Sequence, residues 1–135
     1  MKKILFIVLL LLFGNLSHGQ LTKVSRAHTM SVYNAKLRKY IDLNTSNSDT
    51  YITWKNKEIR FVCIECTKTT TVYSLTSGPT EQRMDSSTTI DTYTLINVET
   101  GAKLKLYLLY DKGNLFSISV ISAGVMIMYR GLEDY

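Results

Sequence analysis

The chain has 135 residues, of which 45% are hydrophobic and 20% charged, and its formal net charge is +5 at pH 7. This length suits a single domain with a core large enough to fold without obligatory cross-links. The sequence contains no P-loop and no glycine-rich dinucleotide motif, which argues against a nucleotide-binding enzyme.

The beginning of the chain has the pattern of an export signal. Two lysines precede about ten apolar residues, and Ser17 and Gly19 stand at the small-residue positions that signal peptidase reads. The apolar run is too short to cross a membrane as a helix, which takes about 20 residues. We therefore expect residues 1–19 to be a bacterial-type signal peptide. Residues 20–135 would form one secreted or periplasmic domain, with no transmembrane segment after cleavage.

Charge is unevenly distributed along the exported part. Residues 20–60 carry eight lysines and arginines against three acidic residues, whereas the remainder has a small acidic excess. A basic half can attract anionic partners such as polysaccharide or lipid headgroups. It can equally be a solvated face that keeps an exported protein soluble. We do not expect nucleic acid as a partner.

Residues 21–43 fit two kinds of structure. Read as a helix, their apolar residues cover one arc and Ser31 can act as the N-cap. Read as strands, Tyr33, Ala35 and Leu37 alternate with polar residues, and an extra hairpin fits a chain that is β-rich elsewhere. The sequence therefore predicts either strands or one N-terminal helix in this segment.

The middle of the chain contains a clear hairpin. Tyr51–Trp54 and Ile59–Cys63 have the composition of strands and are joined by a turn at residues 55–57. Thr69–Leu75 is a further strand, which we expect to end in a turn at residues 76–79. The polar stretch that follows is expected to be a loop or a frayed edge strand.

Residues 88–129 carry the strongest structural pattern. Their apolar runs are separated by short sequences rich in glycine, asparagine and aspartate, which is typical of antiparallel hairpins. Leucines alternate with lysines in Lys103–Leu106, so one face of that strand packs inside and the other meets water. Residues 130–135 are expected to be a short charged tail.

Together these segments predict an all-β domain. About seven or eight short strands in a chain of this size favour an antiparallel meander, either closed as a small barrel or folded over as a sandwich. No internal repeat, low-complexity segment or long linker divides the domain. One N-terminal helix stays as the alternative for the first segment.

Cys63 and Cys66 are the only cysteines of the chain. In an exported protein such a pair first suggests a disulfide. Residues three apart in a continuous strand lie about 10 Å from each other, too far to bond, so a disulfide requires the strand to stop at Cys63 and turn. The alternatives are two reduced thiols, pairing between molecules, a redox pair without its helix, and a zinc site that recruits His28.

The candidate catalytic residues are few. His28 is the only histidine of the expected mature chain, and its neighbours do not identify it as part of a Ser-His-Asp or Cys-His site. The carboxylates lie mostly in predicted turns or on outward strand faces, and their spacing pairs no two of them for glycoside hydrolysis. We predict no catalytic residues, no metal and no cofactor, and keep a hydrolase as the lesser alternative.

An aromatic hairpin rimmed by cations is the first binding candidate. Tyr51 and Trp54 can stack on a ring, and Lys55, Lys57 and Arg60 can hold an anionic group. Aromatic residues are also good strand formers that pack in cores, so their number alone does not indicate a site.

The almost unbroken apolar run from Val120 to Met128 is the second candidate. It fits a strand buried on both faces, a ligand cavity or a protein contact. We expect a non-catalytic binding module for a small apolar, amphipathic or anionic ligand. The alternative function is a structural or interaction protein, which presents a strand edge or an aromatic face to a cell-surface or envelope assembly.

Overall fold

The computed structural model describes residues 21–66 and 70–135, so the expected signal peptide lies outside the described residues. These residues form nine antiparallel strands. They are β1 (Leu21–Asn34), β2 (Lys39–Ser46), β3 (Thr50–Lys55), β4 (Glu58–Cys63), β5 (Thr70–Arg83), β6 (Thr88–Asn97), β7 (Lys103–Asp111), β8 (Asn114–Ser122) and β9 (Val125–Asp134). No helix in the described ranges is long and apolar enough to cross a membrane.

Eight of the strands close into a small barrel. Successive strands pair from β3 to β9, and β1 joins the two ends, since it pairs with β3 through Leu21–Ser25 and with β9 through Lys23–Val32. β2 pairs with the second half of β1, through His28–Asn34, and lies outside the closed ring. The predicted antiparallel meander is confirmed, and it takes the barrel form.

The N-terminal segment is a hairpin, so the helical alternative for it is wrong. β1 and β2 are joined by a turn at residues 35–38, in which Arg38 has a φ of 52°. The stretch with good helix propensity occupies mainly this turn. Propensity is a weak preference, and it is overridden here because β1 has hydrogen-bonded neighbours along both of its edges.

The inside of the barrel is filled by apolar side chains from the alternate positions of its strands. Full burial of one such side chain contributes about 1.5–3 kcal/mol. The most completely buried of the large aliphatic side chains are Ile52, Ile59, Leu95, Leu106 and Ile118, each at most 1% exposed. The interior of the described barrel is therefore used for packing.

Two segments differ from the sequence-based expectation. β5 continues through the expected turn at residues 76–79, with one register shift between Leu75 and Ser77 and a second between Ser77 and Thr80 that spans the cis Gly78–Pro79 bond. Glycine is required at position 78 because a Cβ there would lie 2.8 Å from the ring of Tyr93. The expected charged tail is instead the end of β9, because its last residues pair with Lys23–Ser25 and close the barrel.

Candidate functional site

Trp54 lies inside the barrel. It pairs across strands with Ile59, which places both side chains on the inner face, and it is 4% exposed. Its ring centroid lies 4.7 Å from that of Tyr93, and its indole N–H donates to the carbonyl of Asn56 at 2.8 Å. The stacking surface and the polar group of Trp54 are therefore both engaged within the fold.

Tyr51, Lys55 and Arg60 share the outer face of the β3–β4 hairpin, since Tyr51 and Lys55 alternate with the inward-facing Trp54 and Arg60 pairs with Thr53. The ring of Tyr51 contacts that of Tyr135 edge-on, with centroids 5.0 Å apart. The structure thus brings together part of the predicted aromatic and cationic hairpin, without its tryptophan.

Lys55 and Lys57 line an open cleft of about 450 Å³ between the β3–β4 turn and β5. Asn56, Glu58, Tyr73, Ser74 and Val98 complete its lining. Glu58, which forms an ion pair with Arg60, adds a carboxylate to the same cleft. The mixture of charges and the open shape give this cleft little selectivity for an anion.

Cys63 and Cys66 form a disulfide, with their Cα atoms 5.4 Å apart. β4 ends at Cys63, and the chain turns through Ile64 and Glu65 to bring Cys66 back. The predicted pairing and the predicted interruption of the strand at Cys63 are confirmed. Neither cysteine is a free thiol, so the alternatives of two reduced thiols and of a zinc site are wrong for this pair.

His28 faces the barrel interior, and its ring centroid lies 5.6 Å from that of Tyr129. Burial lowers the pKa of His28, and its Nδ1 has no hydrogen-bond partner among the described residues. The described ranges contain no group of three or more His, Cys, Asp or Glu side chains placed to hold a metal ion. In the part of the chain that the structure describes, His28 therefore belongs to no metal-ligand set.

The outer face of β6 to β9 carries an apolar groove of about 240 Å³. Its floor is formed by Ser117 and Ser119 of β8, which point away from the core and yet are only 2% and 7% exposed. Serines on the outside of a barrel are buried only if bulkier neighbours rise on both sides. The groove is thus a consequence of short side chains between long ones.

Strand register defines the two walls of the groove. Tyr107 and Leu109 of β7 pair with the two floor serines and form one wall together with Ile90 of β6. Met126 and Met128 of β9 form the other wall, since Met128 pairs with Ser119 and Met126 pairs with Ile121. Methionine is flexible and polarisable, and it is common on surfaces that bind partners of variable shape.

The sequence predicts only part of the groove. The apolar run from Val120 to Met128 contributes Ile121, Met126 and Met128 to it, while Val120 and Ile127 belong to the core. Tyr107 and Leu109 lie on β7, and the two serines occupy the polar positions of β8. Nothing in the local sequence of these residues connects them to the apolar run. The pattern that could have predicted them is the alternation of side chains with a period of two, followed across all four strands in their paired register.

Comparison of the chain with protein-family models, with curated proteins and with solved structures found no match.

Proposed function

We propose that this chain is a non-catalytic binding module, and that the groove on the outer face of β6 to β9 is its binding surface. The observation that carries the proposal is the pair of buried serines at the floor of an apolar groove on the solvent side of the barrel. An apolar surface of this shape is unfavourable in water and becomes favourable when an apolar chain covers it.

The packing of the interior supports an outer rather than an inner site. The inward-facing side chains of β3, β4 and β6 to β8 are almost completely buried against one another. A ligand inside the barrel would have to displace them, at a cost of about 1.5–3 kcal/mol for each side chain exposed. A ligand in the groove displaces only water. The expected export signal and the disulfide both fit a binding protein that works outside the cytoplasm.

The test fills the groove without touching the core. Ser119→Leu places an apolar side chain on the floor between Tyr107 and Met128. Titration with decanol, a neutral amphiphile, is followed through the ¹³C-methyl NMR signals of Met126 and Met128. We expect both signals to shift in the natural chain and to stay unchanged in Ser119→Leu.

The control is Thr53→Leu, which also adds apolar volume, but on the outer face of β3 away from the groove. This variant should bind decanol like the natural chain. If the two methionine signals do not respond to decanol, or if Ser119→Leu binds as well as Thr53→Leu, the groove is not the binding surface.

A second candidate function is that of an interaction protein that accepts a strand from a partner. It is favoured by β2, which pairs only with β1 among the described strands and whose Leu43 is 61% exposed. Free strand edges can be extended by a partner strand. This function predicts that Leu43→Lys abolishes capture of an envelope protein, whereas Ser119→Leu leaves the capture unchanged.

A further inference from the structure

Two cations stand at opposite ends of the groove defined above. Lys105 lies on the outer face of β7, two residues before Tyr107, and it pairs across strands with Ile121. Arg130 lies on β9, two residues beyond Met128, and so continues the methionine wall at the end near Ser117. By strand position the two cations therefore lie at the two ends of the groove, and their charged groups reach to the neighbouring strand on the side away from β8, Arg130 to β1 and Lys105 to β6.

Neither cation has a carboxylate partner within the described ranges. Lys23, Arg26 and Arg60 all form ion pairs with acidic side chains. Arg130 instead donates from Nη2 to the hydroxyl of Thr29 at 2.6 Å, and Lys105 donates from Nζ to the hydroxyl of Thr94 at 3.3 Å. Both bonds fix the side chain in place and leave its charge uncompensated.

The arginine is the better placed of the two to hold an anion. A guanidinium has five N–H donors in a rigid plane, and it binds carboxylate and phosphate groups through two parallel hydrogen bonds. Thr29 uses one donor group of Arg130 and fixes the orientation of the plane. The other donors of this exposed side chain stay available for an anion.

The size of the groove limits the apolar part of the ligand. From Ser117 to Ile121 the strand advances about 14 Å, and the two walls stand one strand to either side of β8, or about 10 Å apart between strand axes. The volume of about 240 Å³ lies below the range of roughly 300–1,000 Å³ typical of sites for drug-sized molecules. One linear alkyl chain fits these dimensions, whereas a fused ring system or a two-chain lipid does not.

We propose that the groove binds a single-chain anionic amphiphile, with its alkyl chain over Ser117 and Ser119 and its anionic head group on Arg130. This assignment of the ligand class rests on the proposed function of the groove. Lys105 adds to the positive potential that attracts the head group and does not contact it. The class includes fatty acids and lysophospholipids, which share a single chain and an anionic group.

The experiment compares two probes with the same chain and different head groups, decanoate and decanol, at pH 8. Dissociation constants come from the methyl NMR signals of Met126 and Met128. We expect decanoate to bind the natural chain about tenfold more tightly than decanol, the gain of one charge-assisted pair. Decanoate binding should weaken as sodium chloride is raised, and decanol binding should not.

Arg130→Gln should abolish the preference for decanoate and leave the affinity for decanol unchanged. Lys103→Gln is the control for loss of a positive charge outside the groove. Lys103 lies on the same face of β7 as Lys105, two residues farther from the groove. The Lys103→Gln variant should keep the preference. A head group held by Lys105 instead of Arg130 would appear as loss of the preference in Lys105→Gln alone, which overturns the assignment to Arg130.

The outcomes separate this inference from the proposed function. Equal and salt-independent binding of the two probes overturns the anionic ligand class and leaves the groove as a binding surface. Failure of both probes to shift the methionine signals overturns both proposals. The salt dependence is measured on the natural chain, so it tests the ligand class even if Arg130→Gln does not fold.

Discussion

At the scale of single residues, Glu81 and Asp91 face each other across β5 and β6. Like charges directly opposite one another in an antiparallel pair are destabilising. Burial raises the pKa of Asp91, and the charge of Glu81 raises it further. In the folded chain Asp91 therefore takes up its proton at a higher pH than it does in the unfolded chain.

Asp91→Asn should consequently stabilise the fold near neutral pH. Because the folded pKa of Asp91 is above its unfolded value, its ionisation costs stability as the pH rises through the folded pKa, and this cost is absent below the unfolded pKa. We expect the substitution to raise the free energy of unfolding at pH 7 by about 0.2–1 kcal/mol, and the gain to shrink by pH 3.5. Urea unfolding at the two pH values measures it.

Asp85→Asn is the control, and we expect its effect on the free energy of unfolding to have the opposite sign. The carboxylate of Asp85 accepts hydrogen bonds from the backbone N–H groups of Ser87 and Thr88, which lower its pKa. Its stabilising effect is present above the unfolded pKa and is lost as the pH falls through the folded pKa. Asp85→Asn should lower the free energy of unfolding at pH 7 and lower it by less at pH 3.5. The same sign for both variants would contradict the account given for Asp91.

At the scale of elements, the disulfide fixes the turn that ends β4. Cys63 and Cys66 close a loop of only a few residues, so little chain entropy is removed from the unfolded state. For so short a loop the chain-entropy relation gives about 2 kcal/mol. We expect the Cys63→Ser/Cys66→Ser double variant to lose about this much in urea unfolding. The natural chain under reducing conditions should lose a similar amount, and an unchanged midpoint in both samples would show that the bond is not formed.

Sequence patterns suffice to predict some of these elements and not others. The turn at residues 55–57 fixes the β3–β4 register, which pairs Trp54 with the inward-facing Ile59, so the burial of Trp54 could have been predicted from alternation alone. β5 could not have been predicted to continue past Gly78 and Pro79, because these residues ordinarily end a strand. Its continuation depends on the fit between Gly78 and Tyr93, which lies on another strand.

At the scale of the whole molecule, the all-β class follows from the period of two, whereas the closed barrel does not. Barrel and sandwich contain the same alternating strands, and they differ in whether β1 pairs with β9, more than 90 residues away in the chain. The groove is likewise a property of four strands in register. Single-strand patterns predict which residues are buried in the core but not which outer residues become neighbours.

The last residues of β9 take part in closing the barrel, and they can be deleted from the chain. Leu132 packs against the core, Glu133 and Asp134 form ion pairs with Arg26 and Lys23, and all three lie in the segment expected to be a tail. Deletion of residues 131–135 leaves the first half of β1 without its partner on that side.

We expect this deletion to lower the free energy of unfolding by about 2 kcal/mol, since it removes the partly buried Leu132 together with two ion pairs and the strand pairs of these residues. Deletion of Tyr135 alone is the control. It removes a hydrogen bond to Thr53 and a ring contact with Tyr51, and should cost about 1 kcal/mol or less. Urea unfolding compares the two chains. Equal stability of both would mean that the end of β9 contributes nothing to closure, because only the longer deletion removes the pairing of Leu132, Glu133 and Asp134 with β1.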